Sequence, residues 1–242
     1  MGISAQPFPG VAVRTGVERA TLVRRTYSLV FASVLVTIAG AAYGMSQPSI
    51  MDAVIRHPFI TLMLMFAPLM LAMKFRDAFP ANLGLVFLFT FAEGLMISPI
   101  LFMYGRSQPG VIGQAGMLTA SAFAVLTLYA FASRRDFSAM GAFFTVGLWV
   151  LIATSLLNLF FRNQTASLWL AGGTVLVFSG LLVFDTWRLR NVFGPDDYVI
   201  AAVNIYLDLL NMFLAVLSLL GGRRQEAVRG PTVSLCEAAL VN

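Results

Sequence analysis

The sequence contains seven apolar stretches, each close to the length that a helix needs to cross a lipid bilayer. An α-helix rises 1.5 Å per residue, so about 20 apolar residues span the ~30 Å hydrocarbon layer. The stretches lack the alternating pattern of outer-membrane strands. Short links predict that sequential helices are antiparallel neighbours. The predicted spans are Thr26–Met45, Arg56–Met73, Asn82–Tyr104, Gly110–Ala132, Phe137–Phe161, Ala166–Leu189 and Tyr198–Gly221.

Composition supports the same interpretation. Of the 242 residues, 59% are hydrophobic and only 11% are charged, against roughly 25% charged in an average soluble domain. A soluble fold of this length could not bury so much apolar surface, which excludes a soluble enzyme and a disordered chain. Cys236 has no partner, which excludes a disulfide scaffold. We therefore predict an all-α polytopic membrane protein with seven transmembrane helices.

The segments outside the spans define the domain organisation. Residues 1–25 and 222–242 lack an apolar period, and we expect mobile tails on either side of one transmembrane domain, 26–221. Arg24 and Arg25 precede the first span as in a signal peptide, but its apolar run is longer than the usual 7–15 residues of a cleaved signal. Pro58 and Pro68 make the second span the least regular.

The basic residues indicate orientation. With a cytoplasmic N-terminus, the cytoplasmic links carry six Lys or Arg residues and the opposite links three, as the positive-inside rule requires. Seven spans then place Arg223, Arg224 and Arg229 outside, against that rule. Either the C-terminal segment is outside despite its charge, or one helix is re-entrant. Because the basic residues do not cluster, we expect no nucleic-acid partner.

Three acidic residues, Glu93, Asp185 and Asp208, lie inside predicted spans. An ionisable group there costs at least ~2.5–3.5 kcal/mol on insertion scales, so its default interpretation is functional. No basic residue lies deep in a span, so the sequence offers no internal counter-ion.

Asp185 and Asp208 flank a predicted turn at Gly194–Asp197, 11 residues before Asp196 and 12 after it. In an antiparallel hairpin both lie roughly 15 Å from the loop. If their faces meet, the two carboxylates share one proton and titrate near physiological pH. They also form an oxygen-only site suited to transient calcium binding. The alternative is that each Asp hydrogen-bonds a neighbouring helix and is structural.

Further polar groups lie in the third and seventh spans. Glu93 lies midway along the third span, before Pro99, which frees a backbone carbonyl. It either lines an ion path or is protonated and bonded to that carbonyl. Asn204, Asp208 and Asn211 follow at i, i+4 and i+7, so the seventh span should be central. The two asparagines are either helix contacts or lining of an ion path.

Motifs for other chemistry are absent from the sequence. His57 has no second ligand at zinc spacing, and no phosphate loop, dinucleotide fingerprint or nucleophile elbow is present. We expect no catalytic residue and no resident cofactor. Gly40–Gly44 has the small-xxx-small spacing of a helix-packing face.

Several segments of the sequence resemble a known family. Asn204–Phe213 is similar to the signature of the Bax inhibitor-one (transmembrane Bax inhibitor motif) family, and the resemblance covers residues 20–222. The entry into the first span is similar to the bacterial branch. Supporting matches are Val183–Thr186, Arg134–Ser138, Gly94 with Pro99, and Arg24–Tyr27.

The resemblance implies a fold and a set of site residues. The family has a seventh helix wrapped by six others, a pH-sensitive calcium leak in bacterial members, and suppression of cell death in eukaryotic ones. Its functional acids correspond to Asp185 and Asp208. Its closed-state arginine partner corresponds to Arg76, with Lys74 a weaker match. Glu93 departs from the best-known bacterial pattern, so it either adds a third acid to the path or marks a branch with altered conduction.

Our leading hypothesis is a pH-gated cation leak in the bacterial inner membrane, with calcium as the permeant ion. Protonation of the pair should favour the closed form, and deprotonation should separate the sixth and seventh helices. The alternative is a non-conducting regulator that binds another membrane protein, such as a membrane protease. An intramembrane hydrolase is disfavoured, because paired acids alone are weak evidence of catalysis.

Overall fold

The computed structural model describes the backbone of residues 16–74, 80–161 and 163–240, without the side chains of Leu159, Gln164 and residues 223–240. All regular structure in these ranges is helical, which confirms the predicted fold class. The helices are α1 (Gly16–Ser46), α2 (Pro48–Arg56), α3 (Pro58–Lys74), α4 (Ala81–Ser107), α5 (Val111–Ala132), α6 (Ser138–Phe161), α7 (Gln164–Asn191) and α8 (Tyr198–Leu240).

Seven transmembrane passages are consistent with these helices. Among the described residues, six helices are long and apolar enough to cross a bilayer, namely α1 and α4 to α8. The pair α2 and α3, which meet at a bend of 103°, forms either a seventh, broken passage or a re-entrant segment. The bend lies at His57, because a residue before proline avoids helical backbone angles. The predicted second span therefore begins at Pro58 rather than Arg56, and Pro68 does not end it.

The first and last helices extend beyond their predicted spans. α1 begins at Gly16, inside the predicted N-terminal tail, and the backbone of α8 continues to Leu240. Mobility of residues 1–25 and 222–242 stays a prediction. The predicted sixth and seventh spans correspond to α7 and α8.

The outer faces of the bundle are apolar. Large side chains such as Phe143, Phe160 and Trp169 are more than two-thirds exposed. A monomeric soluble protein does not present such a surface, whereas lipid tails solvate it at no cost. The fold is therefore that of an integral membrane protein.

α8 occupies the centre of the bundle, as predicted. Half of its apolar stretch Tyr198–Gly222 is buried, against 6% of the corresponding stretch of α6. It packs against α1, α4, α5 and α7. The fully buried side chains of Ile205, Tyr206, Met212 and Leu217 all belong to it.

Short links do not determine which helices pack together. The most extensive interface joins α1 to α4, and α5 packs mainly against α7 and α8. In the described part of the chain, α6 packs against α7 rather than α5. The prediction that sequential helices are neighbours is therefore wrong for α1 and α5, because side-chain shape outweighs link length in choosing partners.

α1 and α4 approach each other at two glycines. A Cβ built on Gly94 would overlap the carbonyl oxygen of Thr37, and one built on Gly40 would overlap that of Phe91. Only residues without side chains permit this contact between backbones. The helix-packing role predicted for Gly40 is thus explained by its contact with the α4 backbone.

We expect Gly94→Ala to destabilise the protein by about 1–3 kcal/mol, because the added methyl group separates α1 from α4. The control is Gly84→Ala in the same helix, where a Cβ has open space. Unfolding in mixed detergent micelles measures both variants. Equal stability of the two would show that α1 and α4 do not depend on this contact.

Candidate functional site

The α7–α8 hairpin positions the two aspartates. α7 ends where the Val192 and Phe193 amides donate to the Arg188 carbonyl, at 2.7 and 3.0 Å. The turn is then fixed by the Gly194 amide, which donates to Asp197 Oδ2 at 2.7 Å. This short turn returns α8 directly along α7, so residues equally far from it face each other.

Asp185 and Asp208 meet in the interior of the bundle. Their exposed fractions are 7% and 4%, and the two carboxyl groups are close enough to interact directly. An ionised carboxylate has no proton to donate, so a hydrogen bond between two carboxyl groups needs a proton on one of them. Among the described residues Asp208 Oδ2 is buried and has no hydrogen-bond partner. The site therefore has unused capacity to bind a proton or a cation.

A basic residue accompanies the pair. Arg188 Nη1 donates to Asp185 Oδ1 at 2.9 Å, three residues further along α7. The prediction that no internal counter-ion exists is therefore wrong. Arg188 is the penultimate residue of the predicted sixth span and is counted there with the charges of the following link. In the structure α7 continues to Asn191, which holds Arg188 within reach of the carboxylate.

Aromatic rings surround the Arg188 guanidinium. It lies 4.5 Å from the ring centroid of Phe193 and 5.5 Å from that of Phe184, and its side chain is 32% exposed. A cation over aromatic faces gains about 0.5–2 kcal/mol, depending on its solvation. These contacts hold the guanidinium beside Asp185 while one side of it still reaches the bundle surface.

A second polar cluster lies on the other side of α8. The Tyr206 hydroxyl donates to Glu93 Oε2 at 3.0 Å and lies 2.6 Å from Thr37 Oγ1. Tyr206 is 1% exposed and Glu93 is half-buried. The cluster joins α1, α4 and α8 in the membrane interior.

The backbone carbonyl that Pro99 frees is not bonded to Glu93, which was one of the two interpretations of that residue. Proline lacks an amide hydrogen, which frees the carbonyl four residues earlier, at Leu95. Ser98 Oγ donates to this oxygen at 2.7 Å. The interpretation of Glu93 as a group bonded to the freed carbonyl is therefore wrong, and its described partner is Tyr206.

α8 thus presents polar groups to two sides. Tyr206 and Asp208 are two residues apart, which places them on opposite faces of a helix. Asn211 Nδ2 donates to the Leu207 carbonyl of its own helix at 2.8 Å, and Asn204 is half-buried one turn before Asp208. Asn204, Asp208 and Asn211 therefore lie along one face of α8, but the Asn211 side chain bonds to the backbone of its own helix.

Arg76 lies outside the described residues, and Lys74 is exposed at the end of α3. In the described part of the chain, no three His, Cys, Asp or Glu side chains converge on one point. Calcium takes six to eight oxygen ligands, so the two aspartates alone would supply only part of its coordination shell.

Sequence reasoning missed Arg188, Thr37 and Tyr206. The spacing of Arg188 from Asp185, i and i+3, is a local signal that places both on one helix face. Thr37 and Tyr206 contact Glu93 only through helix packing, and no spacing in the sequence indicates that contact.

We expect Arg188→Gln to destabilise the protein by about 1–3 kcal/mol, because it leaves a buried carboxylate without its cation. Asp185→Asn on the same background should recover most of the loss. The control is Arg56→Gln, which breaks an exposed pair with Asp52 whose side chains are 70% and 56% exposed and costs less than about 1 kcal/mol. A double-mutant cycle of detergent unfolding measures the coupling, and zero coupling would contradict the role of Arg188.

Comparison with known proteins gives the family. A family model described as "Inhibitor of apoptosis-promoting Bax1" matches residues 19–225. The chain is 35% identical over 205 residues to the Golgi anti-apoptotic protein of vaccinia virus (strain Lister), covering 84% of this chain and 85% of that protein. It is 34% identical over 207 residues to Protein lifeguard 4 of Mus musculus, covering 84% and 85%.

Bacterial proteins match as well. The chain is 35% identical over 211 residues to an uncharacterized membrane protein of Vibrio cholerae, covering 84% of this chain and 90% of that protein. The match to the family model, residues 19–225, includes the positions of the aspartate pair and of the Glu93 cluster. The chain therefore belongs to the Bax inhibitor family of integral membrane proteins.

Proposed function

We propose that this protein is a pH-sensitive cation leak of the bacterial inner membrane, with calcium as the permeant ion and its N-terminus in the cytoplasm. The observation that carries the proposal is the close approach of Asp185 and Asp208 in the interior of the bundle, with Arg188 paired to Asp185. Carboxylates are hard oxygen ligands, which calcium prefers. The bacterial relatives support the choice of membrane.

Gating follows from the charge on the pair. With a proton between the carboxyl groups, one negative charge faces the positive charge of Arg188, and α7 stays against α8. Without that proton, two negative charges face one positive charge. Unit charges about 4 Å apart interact by about 4 kcal/mol at an effective dielectric constant of 20, which exceeds the ~1 kcal/mol of a typical hydrogen bond. Repulsion between the two carboxylates then separates α7 from α8, and the net negative charge of the pair attracts a cation.

We propose that other residues of the path offer side-chain oxygen atoms to the passing ion without forming a stable binding site. Asn204 and Asn211 lie on α8 on either side of Asp208, and Glu93 lies on α4 against the opposite face of α8. Asp185 with Asp208 form a transient calcium site. We propose Arg76 as the closed-state partner of Asp185 on the family resemblance alone. The mechanism needs no cofactor and no catalytic step.

We expect calcium flux through the protein in liposomes to rise from pH 6 to pH 8, by up to about tenfold per pH unit, the limit for one proton. Asp208→Asn and Asp185→Asn should each abolish this rise, because an amide does not titrate. A calcium-sensitive dye inside the vesicles measures the flux. The matched control is Asp52→Asn, the same chemical change at an exposed side chain.

The result that would refute the gating mechanism is specific. If both asparagine variants retained the wild-type flux and its pH dependence, the pair would be structural. Loss of the pH dependence in Asp52→Asn as well would show that the effect is not specific to the pair.

A second candidate function is a non-conducting regulator that binds another membrane protein, such as a membrane protease. Two eukaryotic or viral relatives are named as an anti-apoptotic protein and as a Bax inhibitor, and neither name is that of an enzyme or a channel. In this case helix faces and the N-terminal segment would carry the function.

Removal of residues 1–15 distinguishes the two functions, because it leaves every described helix complete. A leak should keep its calcium flux in liposomes, whereas a regulator should lose a partner captured by crosslinking in membranes. We expect unchanged flux. Loss of a specific crosslinked partner, together with no flux in the full-length protein, would favour the regulator.

A further inference from the structure

A cavity of about 1040 Å³ opens between α1, the first turns of α4 and the start of α8. It lies on the side of α8 that faces α1 and α4, and neither Asp185 nor Asp208 lines it. Pockets for drug-sized ligands measure about 300–1,000 Å³, so this one has room for a large headgroup with part of an acyl chain. The proposed leak does not use it.

The cavity wall changes from polar to apolar with depth. Along one face of α1, Arg24, Arg25 and Ser28 come first, and Leu29 and Ala32 follow towards the membrane interior. The distance from Arg24 to Ala32 along the helix is about 12 Å at 1.5 Å per residue. The same order appears on α4, where a polar residue precedes two apolar ones, Asn82 and then Leu83 and Phe87.

The charge at the cavity mouth is positive. Arg24 and Arg25 are both exposed, and no salt bridge to either occurs within the described residues. The Arg25 guanidinium lies 5.9 Å from the ring centroid of Tyr198. Asp196 is the acidic residue of the lining, so two positive charges face one negative charge.

We propose that this cavity binds an anionic phospholipid from the leaflet that this end of the bundle contacts. The phosphate lies between Arg24 and Arg25, with the Ser28 hydroxyl as a further donor, and an acyl chain follows Leu29 and Phe87 inward. Basic pockets between transmembrane helices bind anionic headgroups in this way. Guanidinium groups donate two parallel hydrogen bonds to a phosphate. A phosphocholine headgroup also contains a phosphate, but its net charge is zero, so two arginines attract it less strongly than an anionic headgroup. The apolar wall distinguishes a lipid from a soluble phosphate.

The test uses the full-length protein, purified in detergent and titrated with phosphatidylglycerol or phosphatidylcholine of equal chain length. Native mass spectrometry measures the fraction of protein that retains a lipid. We expect preferential retention of phosphatidylglycerol, weakened by roughly 10- to 30-fold in the double variant R24Q/R25Q, since each arginine near an anionic lipid contributes several-fold in affinity. The control is R56Q/R106Q, which removes the same amount of charge at the C-terminal ends of α2 and α4, outside the cavity lining. We expect it to retain wild-type lipid binding.

Inorganic phosphate is the competing ligand. We expect millimolar phosphate not to displace phosphatidylglycerol, because it makes no contact with the apolar wall. Displacement of the lipid by phosphate would assign the cavity to a soluble anion and overturn the lipid. Equal retention of the two lipids, or equal losses in R24Q/R25Q and R56Q/R106Q, would overturn the site. Because both side chains are exposed, we expect R24Q/R25Q to keep the wild-type melting temperature in lipid-free detergent. This measurement checks that the variant is folded.

Discussion

The cost of placing ionisable groups in hydrocarbon determines the arrangement of this bundle. Asp208 and Tyr206 lie on opposite faces of one helix, so no rotation of α8 could hide one from lipid without exposing the other. Only a position surrounded by other helices buries both. α7 covers the Asp208 face, while α1 and α4 cover the Tyr206 face. The central place of α8 is therefore a consequence of its own polar residues.

The two polar clusters differ in their connections. Asp185, Asp208 and Arg188 belong to a hairpin of two consecutive helices, so the cluster forms wherever that hairpin forms. The Glu93–Tyr206 contact joins residues 113 positions apart and depends on the whole bundle. A change at the first cluster therefore alters one interface, whereas a change at the second alters how α8 sits against α1 and α4. This difference makes the aspartate pair the better candidate for a local switch.

Much of the fold was predictable because its causes are local. Apolar runs gave the spans, and the turn at Gly194 gave the depth of Asp185 and Asp208. The partners of α1 were not predictable, because the contact at Gly40 and Gly94 depends on the rotation of two helices far apart in the sequence. The Arg188 contact was visible as a spacing of three residues, but its position near a predicted span end concealed it. The Tyr206–Glu93 contact had no sequence signal.

The backbone contact between α1 and α4 also limits how the molecule can move. Two helices that touch without intervening side chains have no soft layer in which to slide, so they behave as a single stiff body. α6 packs chiefly on α7, at the edge of the bundle. A displacement of α6 at this edge would therefore leave the α1–α4 frame in place, whereas α7 is held to α8 by the second most extensive interface of the described bundle.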